Sequence, residues 1–151
     1  MKRLLLFMVI SALSVSLSAA TGLRVDKIFN GGYESDSEVE LMIMSGDSSF
    51  LKRNGVSFMQ LFKGPSAKYA SKIVPLLKAD GSKAIGQKVT YDKGRLHYAF
   101  YSLPPKTAGK VKINRYICYL DGPKNQLRNV MLLYIEGPIT PDRANRLFKS
   151  M

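Results

Sequence analysis

Two neighbouring runs late in the chain limit its possible folds more than any other feature. Residues 112–120 (KINRYICYL) and 129–135 (NVMLLYI) are rich in β-branched, aromatic and long apolar side chains, and they flank a turn cluster at residues 121–128 (DGPKNQLR). That is the pattern of a β-hairpin. Each run is apolar on both of its faces. Ile113, Ile117 and Tyr119 alternate with Tyr116, Cys118 and Leu120, and Met131, Leu133 and Ile135 alternate with Val130, Leu132 and Tyr134. A strand with one wet face shows a polar residue at every second position. These two strands are therefore expected mid-sheet, with something packed on each side.

The rest of the chain supplies the elements that surround them. Residues 21–32 read as a short helix capped by Thr21, with Val25, Ile28 and Phe29 on one face and Gly31 at a left-handed stop. Alternation over residues 38–45 (EVELMIMS) predicts a strand near a sheet edge, and residues 46–55 are polar and turn-rich apart from Phe50 and Leu51. Residues 56–62 read as a second strand, entered through the tight connection Lys52-Arg53-Asn54-Gly55. Gly64-Pro65-Ser66 then opens a helix with Ala67, Ala70, Ile73, Val74 and Leu77 on one face; Pro75 inside that pattern predicts a kink or an early end near Val74.

Strands are expected over residues 87–91, 95–103 and 112–120. Asp92-Lys93-Gly94 should form a hairpin turn with Gly at positive φ, and Pro104-Pro105 should stop the second strand. Gly137-Pro138 leads into a last helix capped by Thr140 with Pro141 at its first position. Ala144, Leu147, Phe148 and Met151 form its inner face, and Arg143, Arg146 and Lys149 its outer one. Helix, two strands, helix, four strands, helix, with short turns between consecutive strands, is an α+β order. The expectation is a mainly antiparallel sheet of five to six strands with two to three helices packed against it.

The first twenty residues read as a targeting segment. Lys2 and Arg3 form the charged start, residues 4–17 the apolar centre, and Ser18-Ala19-Ala20 a small-residue cleavage site before Thr21. The centre is shorter than the roughly 20 residues of a bilayer-crossing helix, and no later stretch is apolar enough to cross. The expected product is one domain, residues 21–151, exported to the periplasm or outside the cell, with no integral membrane segment. Its single cysteine, Cys118, allows no intramolecular disulfide.

Charge is unevenly spread. Six acids lie between Asp26 and Asp47 against Lys27 alone, whereas nineteen Lys and Arg follow Ser48 against five acids. Such a surface attracts polyanions: nucleic acid, acidic polysaccharide or an anionic lipid face. A polyanion site would combine cations with aromatics on an open strand face, and His97, Tyr101, Arg115, Tyr119 and Tyr134 are the candidates. The opposing expectation is that the tyrosines pack beneath the helices with hydroxyls reaching the rim. Arg115 in an apolar strand needs a carboxylate or carbonyl partner, or a route to solvent.

Catalytic chemistry finds little material. His97 and Cys118 are the only histidine and cysteine, so a Cys–His pair is the one catalytic constellation that the composition permits. Cys118 sits in a dense apolar run, where a thiol is more often a small core residue than a nucleophile. One His and one Cys cannot build a tetrahedral zinc site. Glu34, Asp36, Glu38 and Glu40 lack the glycine and the spaced terminal carboxylate of a calcium loop. No phosphate-loop, dinucleotide, hydrolase-elbow or zincin motif is present. No cofactor and no catalytic or metal site is expected.

Taken together, GLRVDKIF, EVELMIMSG, GRLHYAFYSLPP, NRYICYL and LLYIEG with a short helix after it resemble a family of small uncharacterised exported proteins of anaerobic Gram-negative bacteria. The likeness spans nearly the whole chain after residue 20. It implies a periplasmic or surface location and no established activity. A more distant likeness is to exported domains loosely described as adhesin-like, which share the early strand and the final strand-Gly-helix. The expected function is a non-enzymatic binding or structural module of the envelope, with an envelope protein or an anionic polymer as partner. The alternatives are a binder of acidic polymers acting through a basic surface and a thiol enzyme using Cys118.

Overall fold

The computed structural model describes residues 21–124 and 127–151. The expected targeting segment and the tip of the central hairpin lie outside these residues. In chain order the elements are α1 (Asp26–Phe29), β1 (Glu40–Ser45), α2 (Ser49–Asn54), β2 (Phe58–Pro65), α3 (Ser66–Gly81), β3 (Gly86–Asp92), β4 (Arg95–Ala108), β5 (Val111–Lys124), β6 (Leu127–Gly137) and α4 (Pro141–Lys149). The six strands form one antiparallel sheet in the order β1-β2-β6-β5-β4-β3. Among the described residues the fold is α+β, with four helices rather than two or three.

The doubly apolar runs are the two middle strands. Tyr116 pairs with Ile135 and Cys118 with Leu133; between them Ile117 pairs with Tyr134, and Tyr119 with Leu132. One alternating set, Ile117, Tyr119, Leu132 and Tyr134, packs with Val25, Ile28 and Phe29 at α1 and with Tyr69, Ile73 and Leu77 of α3. The other, Tyr116, Cys118, Leu133 and Ile135, packs with Leu51 of α2, Ile139, and Ala144 and Phe148 of α4. Burying both faces puts apolar area to use twice per strand, at about 25 cal/mol per Å². This is why the sheet's middle carries no polar stripe.

Several boundaries differ from expectation, each for a physical reason. The turn cluster at residues 121–128 is mostly strand, since β5 runs to Lys124 and β6 begins at Leu127. Pro104-Pro105 does not stop β4, which continues to Ala108. The β4–β5 register jumps from Leu103↔Arg115 to Lys106↔Ile113, so the two prolines occupy a bulge where no ladder N–H is required. The pairing of β3 ends at Gly86↔Ser102, which leaves the other flank of the prolines unpaired as well.

Pro75 does not end α3 near Val74. It lies on the exposed side of a helix that continues to Gly81, and the carbonyl it leaves without a helical donor belongs to Ser71, itself an exposed residue. The polar stretch at residues 46–55 holds a helix, not only turns. Ser48 Oγ accepts from Phe50 N (3.1 Å) and Leu51 N (3.4 Å), Gly55 closes the helix at φ 72°, and Leu51 is fully buried. Residues 52–55 are thus helix end rather than a strand connection, and the second strand starts at Phe58 and runs to Pro65.

Thr21 is not the cap of α1, which is four residues long and begins after Val25. The helix is capped by Asn30 at φ −103° rather than by a left-handed Gly31, and the left-handed backbone comes later, at Gly32 (φ 71°). The tight β3–β4 turn is formed by Lys93 (φ 53°) and Gly94 (φ 81°), both left-handed, as a two-residue hairpin requires. The last helix is as expected: Thr140 Oγ1 accepts from Arg143 N, and Pro141 opens it.

Candidate ligand-binding groove

The five residues singled out from sequence fall in three places. Arg115 on β5 and Tyr134 on β6 lie diagonally across the ladder, where Arg115 pairs with Glu136 and Tyr134 with Ile117, and they are joined by a hydrogen bond. Arg115 Nε donates to Tyr134 Oη (3.0 Å), Arg115 Nη2 donates to the Thr21 carbonyl (3.0 Å), and Tyr134 Oη donates to Glu136 Oε2 (2.6 Å). Lys106 Nζ reaches the same Glu136 oxygen at 3.0 Å. Tyr134 is fully buried, and that burial raises its phenol pKa. The pair is an internal clamp on the start of the domain and offers no open strand face.

His97 lies at a second bulge. The β3–β4 register passes from Thr90↔Tyr98 to Tyr91↔Leu96, which leaves His97 without a partner on β3. Its Nδ1–H donates to the Asp121 carbonyl (2.8 Å). It borders a hollow of about 470 Å³ beside α4, walled by Tyr98, Leu120, Met131, Phe148 and Met151.

Tyr101 and Tyr119 come together on the α3 side of the sheet, both buried rather than on an open strand face. Tyr101 packs against the last residue of α3, where a Cβ on Gly81 would sit 2.5 Å from the ring. It lines a hollow of about 360 Å³ with Lys78, Ser82, Gln87, Val89 and Tyr91. A second hollow, about 250 Å³, lies between Ala70, Ser71, Val74 and Lys78 of α3, the hairpin residues Tyr91, Gly94, Arg95 and Leu96, and Tyr119 and Asp121 of β5. Lys78 and Tyr91 border both hollows. Lys78 Nζ stands 5.3 Å from the centre of the Tyr91 ring, within cation–π range.

The second hollow has an organised charged wall. Asp121 is almost completely buried; its Oδ1 accepts from Ser66 Oγ (2.8 Å) and its Oδ2 from Arg95 Nη2 (2.9 Å). The same Arg95 nitrogen also donates to Ser66 Oγ (3.1 Å), and Arg128 Nη2 stands 3.6 Å from Oδ1. One buried carboxylate thus holds two guanidiniums, a local excess of one positive charge to which Lys78 adds another. Tyr119 is fully buried beside this wall and its hydroxyl has no hydrogen-bond partner. Burial raises its pKa, so at neutral pH the phenol keeps its proton and is available as a donor. Outside the hollows, α3 also presents Lys68 and Lys72, 5.5 and 5.4 Å from the centre of the Tyr69 ring.

Cys118 is fully buried on the opposite face of the sheet, among Phe100, Tyr116 and Leu133, and burial pushes its thiol well above the ordinary range. No group of three or more His, Cys, Asp or Glu side chains is arranged to hold a metal among the described residues. Among these residues, no helix is long and apolar enough to cross a membrane.

The sequence profile of a family of unknown function, DUF6108, matches residues 12–148. The chain belongs to DUF6108. No curated protein and no solved structure matches it. For this DUF6108 chain, sequence reasoning missed Lys78, Tyr91, Arg95 and Asp121 as members of a shared site. One signal was available: Asp121 is an acid placed directly after an apolar run, where it demands buried partners.

Proposed function

We propose that the chain is an exported, non-enzymatic binding module that holds an acidic polymer along α3 and the β3–β4 hairpin. The observation that carries the reading is the convergence of Lys78, Arg95 and three tyrosines, Tyr91, Tyr101 and Tyr119, on two hollows with a common border. Cations beside aromatic rings suit an anionic chain whose units also present flat or ring-shaped surfaces. Lys72 extends the positive side of α3 beyond the hollows, whereas Lys68 is engaged by the Asp36 carboxylate at 2.7 Å. The net charge of +12, which becomes +10 without Lys2 and Arg3 of the first twenty residues, favours encounter with such a polymer. Export rests on the charged, apolar and small-residue segments of the first twenty residues.

The test is retention of the processed domain on heparin and polygalacturonate matrices. The logarithm of the affinity should fall linearly with the logarithm of salt concentration, and Lys78→Ala should reduce the slope by about one. Absent or salt-independent retention would refute the reading. A thiol enzyme has no support in the geometry, because Cys118 is enclosed and its thiol is held protonated.

A further inference from the structure

Among the described residues, two buried side chains have polar atoms without partners: Gln60 at its amide and Tyr119 at its hydroxyl. Gln60 borders none of the hollows described above. Tyr119 borders the smaller hollow on the α3 side, next to Arg95, Lys78 and Asp121. Leaving a buried hydroxyl unpaired costs stability, whereas phenylalanine would fill the same space without that cost. A tyrosine kept there is explained if something that enters the hollow takes the hydrogen bond.

We propose that this hollow is a subsite for one carboxylate-bearing sugar unit, a uronate of an acidic polysaccharide, with the Tyr119 hydroxyl donating to it and Arg95 and Lys78 flanking its carboxylate. The inference deepens the polymer-binding reading above and rests on it. Size favours one ring: about 250 Å³ lies below the roughly 300 Å³ at which pockets for drug-sized ligands begin. Chemistry favours a uronate over a neutral sugar, because two cations border the space. It also favours a uronate over a phosphodiester chain. A uronate can turn its carboxylate to Arg95 and Lys78 while a ring hydroxyl donates to the Asp121 carboxylate, which has lone pairs beyond those used by Ser66 and Arg95. A DNA phosphodiester brings no hydroxyl donor for it. Tyr91, 55% exposed, is the ring against which a pyranose face can lie.

The experiment titrates the processed wild-type domain, Tyr119→Phe and Tyr91→Ala with trigalacturonate, and compares cellotriose and a short oligothymidylate. Wild type should bind trigalacturonate at least tenfold more tightly than either comparison ligand. Tyr119→Phe should weaken that binding about tenfold while raising the melting temperature, a pairing of effects that a purely structural hydroxyl does not produce. Tyr91→Ala, at an exposed position, should weaken it several-fold with the fold intact. Unchanged trigalacturonate affinity in Tyr119→Phe, or equal affinity for the oligothymidylate, would overturn the uronate subsite. If polygalacturonate and heparin retention stays salt-dependent in that case, the polymer-binding reading survives; if retention is absent, both readings fall.

Discussion

A guanidinium in an apolar strand must find acceptors or reach water, and Arg115 finds the Tyr134 hydroxyl and the Thr21 carbonyl. Its role is therefore to fasten the first residues of the domain to the middle of the sheet. Arg115→Ala leaves that carbonyl without its charged donor, and the expected loss is about 2–3 kcal/mol of unfolding free energy in urea denaturation. A loss below about 0.5 kcal/mol would place Arg115 in the ordinary surface class. Asp36 shows the same logic at the surface. Lys68 Nζ donates to it at 2.7 Å, Tyr69 Oη donates to the same oxygen, and its carboxyl is held at about 2 instead of 3.8. A carboxylate lowered in this way stabilises the folded state above its ordinary value, and the contribution is lost as pH falls from near 4 through about 2. An NMR titration of the Asp36 carboxyl should find the low value, and Lys68→Ala should return it toward the usual range.

At the scale of elements, the middle strands were legible because burying two faces removes every second-position polar residue, and the short runs, their β-branched and aromatic content and the turn cluster between them separate them from a buried helix. Strand ends were not legible. Pro104 and Pro105 are breakers in a regular ladder, but a bulge absorbs them, and a bulge is a property of two strands in register rather than of one. Helix α2 escaped notice because its six residues show no repeated face; its support is local, from Ser48 at one end and Gly55 at the other. Gly81 is likewise readable only in three dimensions. At the end of a helix, Gly→Ala ordinarily gains helix stability, but here the new Cβ would press on the buried Tyr101 ring. Gly81→Ala is expected to lower stability by about 1–3 kcal/mol in thermal melts and, by shifting Tyr101, to weaken polyanion retention. A variant melting above wild type would show that the ring has room to move.

At the scale of the molecule, the groove exists because residues far apart in sequence share a sheet face: α3 brings Lys78, the β3–β4 hairpin Tyr91 and Arg95, and β5 Tyr119 and Asp121. Tyr101 and Tyr119 could be picked out as ring-bearing strand positions, but their cationic partners follow only from strand order and helix placement. The start of the domain is drawn in by the same long-range closure. Asp80 at the end of α3 accepts from Arg24 N and Val25 N, both at 2.9 Å, while Arg115 of β5 holds the Thr21 carbonyl. Thr21 itself is buried, and its hydroxyl donates to Asp26. Thr21 and Val25 therefore anchor the first residues to the folded domain, and processing after Ala20 would spare every one of these contacts. On the proposed reading of export, mass spectrometry of the processed protein is expected to find Thr21 at its N-terminus. A chain begun at Asp26 would strand the Asp80 carboxylate and the Arg115 guanidinium in partly or fully buried positions and uncover the sheet beneath Val25. Each broken charged contact costs about 1.5–3 kcal/mol, so the truncated chain should lose a large part of a marginal stability. Urea unfolding should show a much lower midpoint for that chain, and an unchanged midpoint would mean that these first residues only rest on a fold already complete.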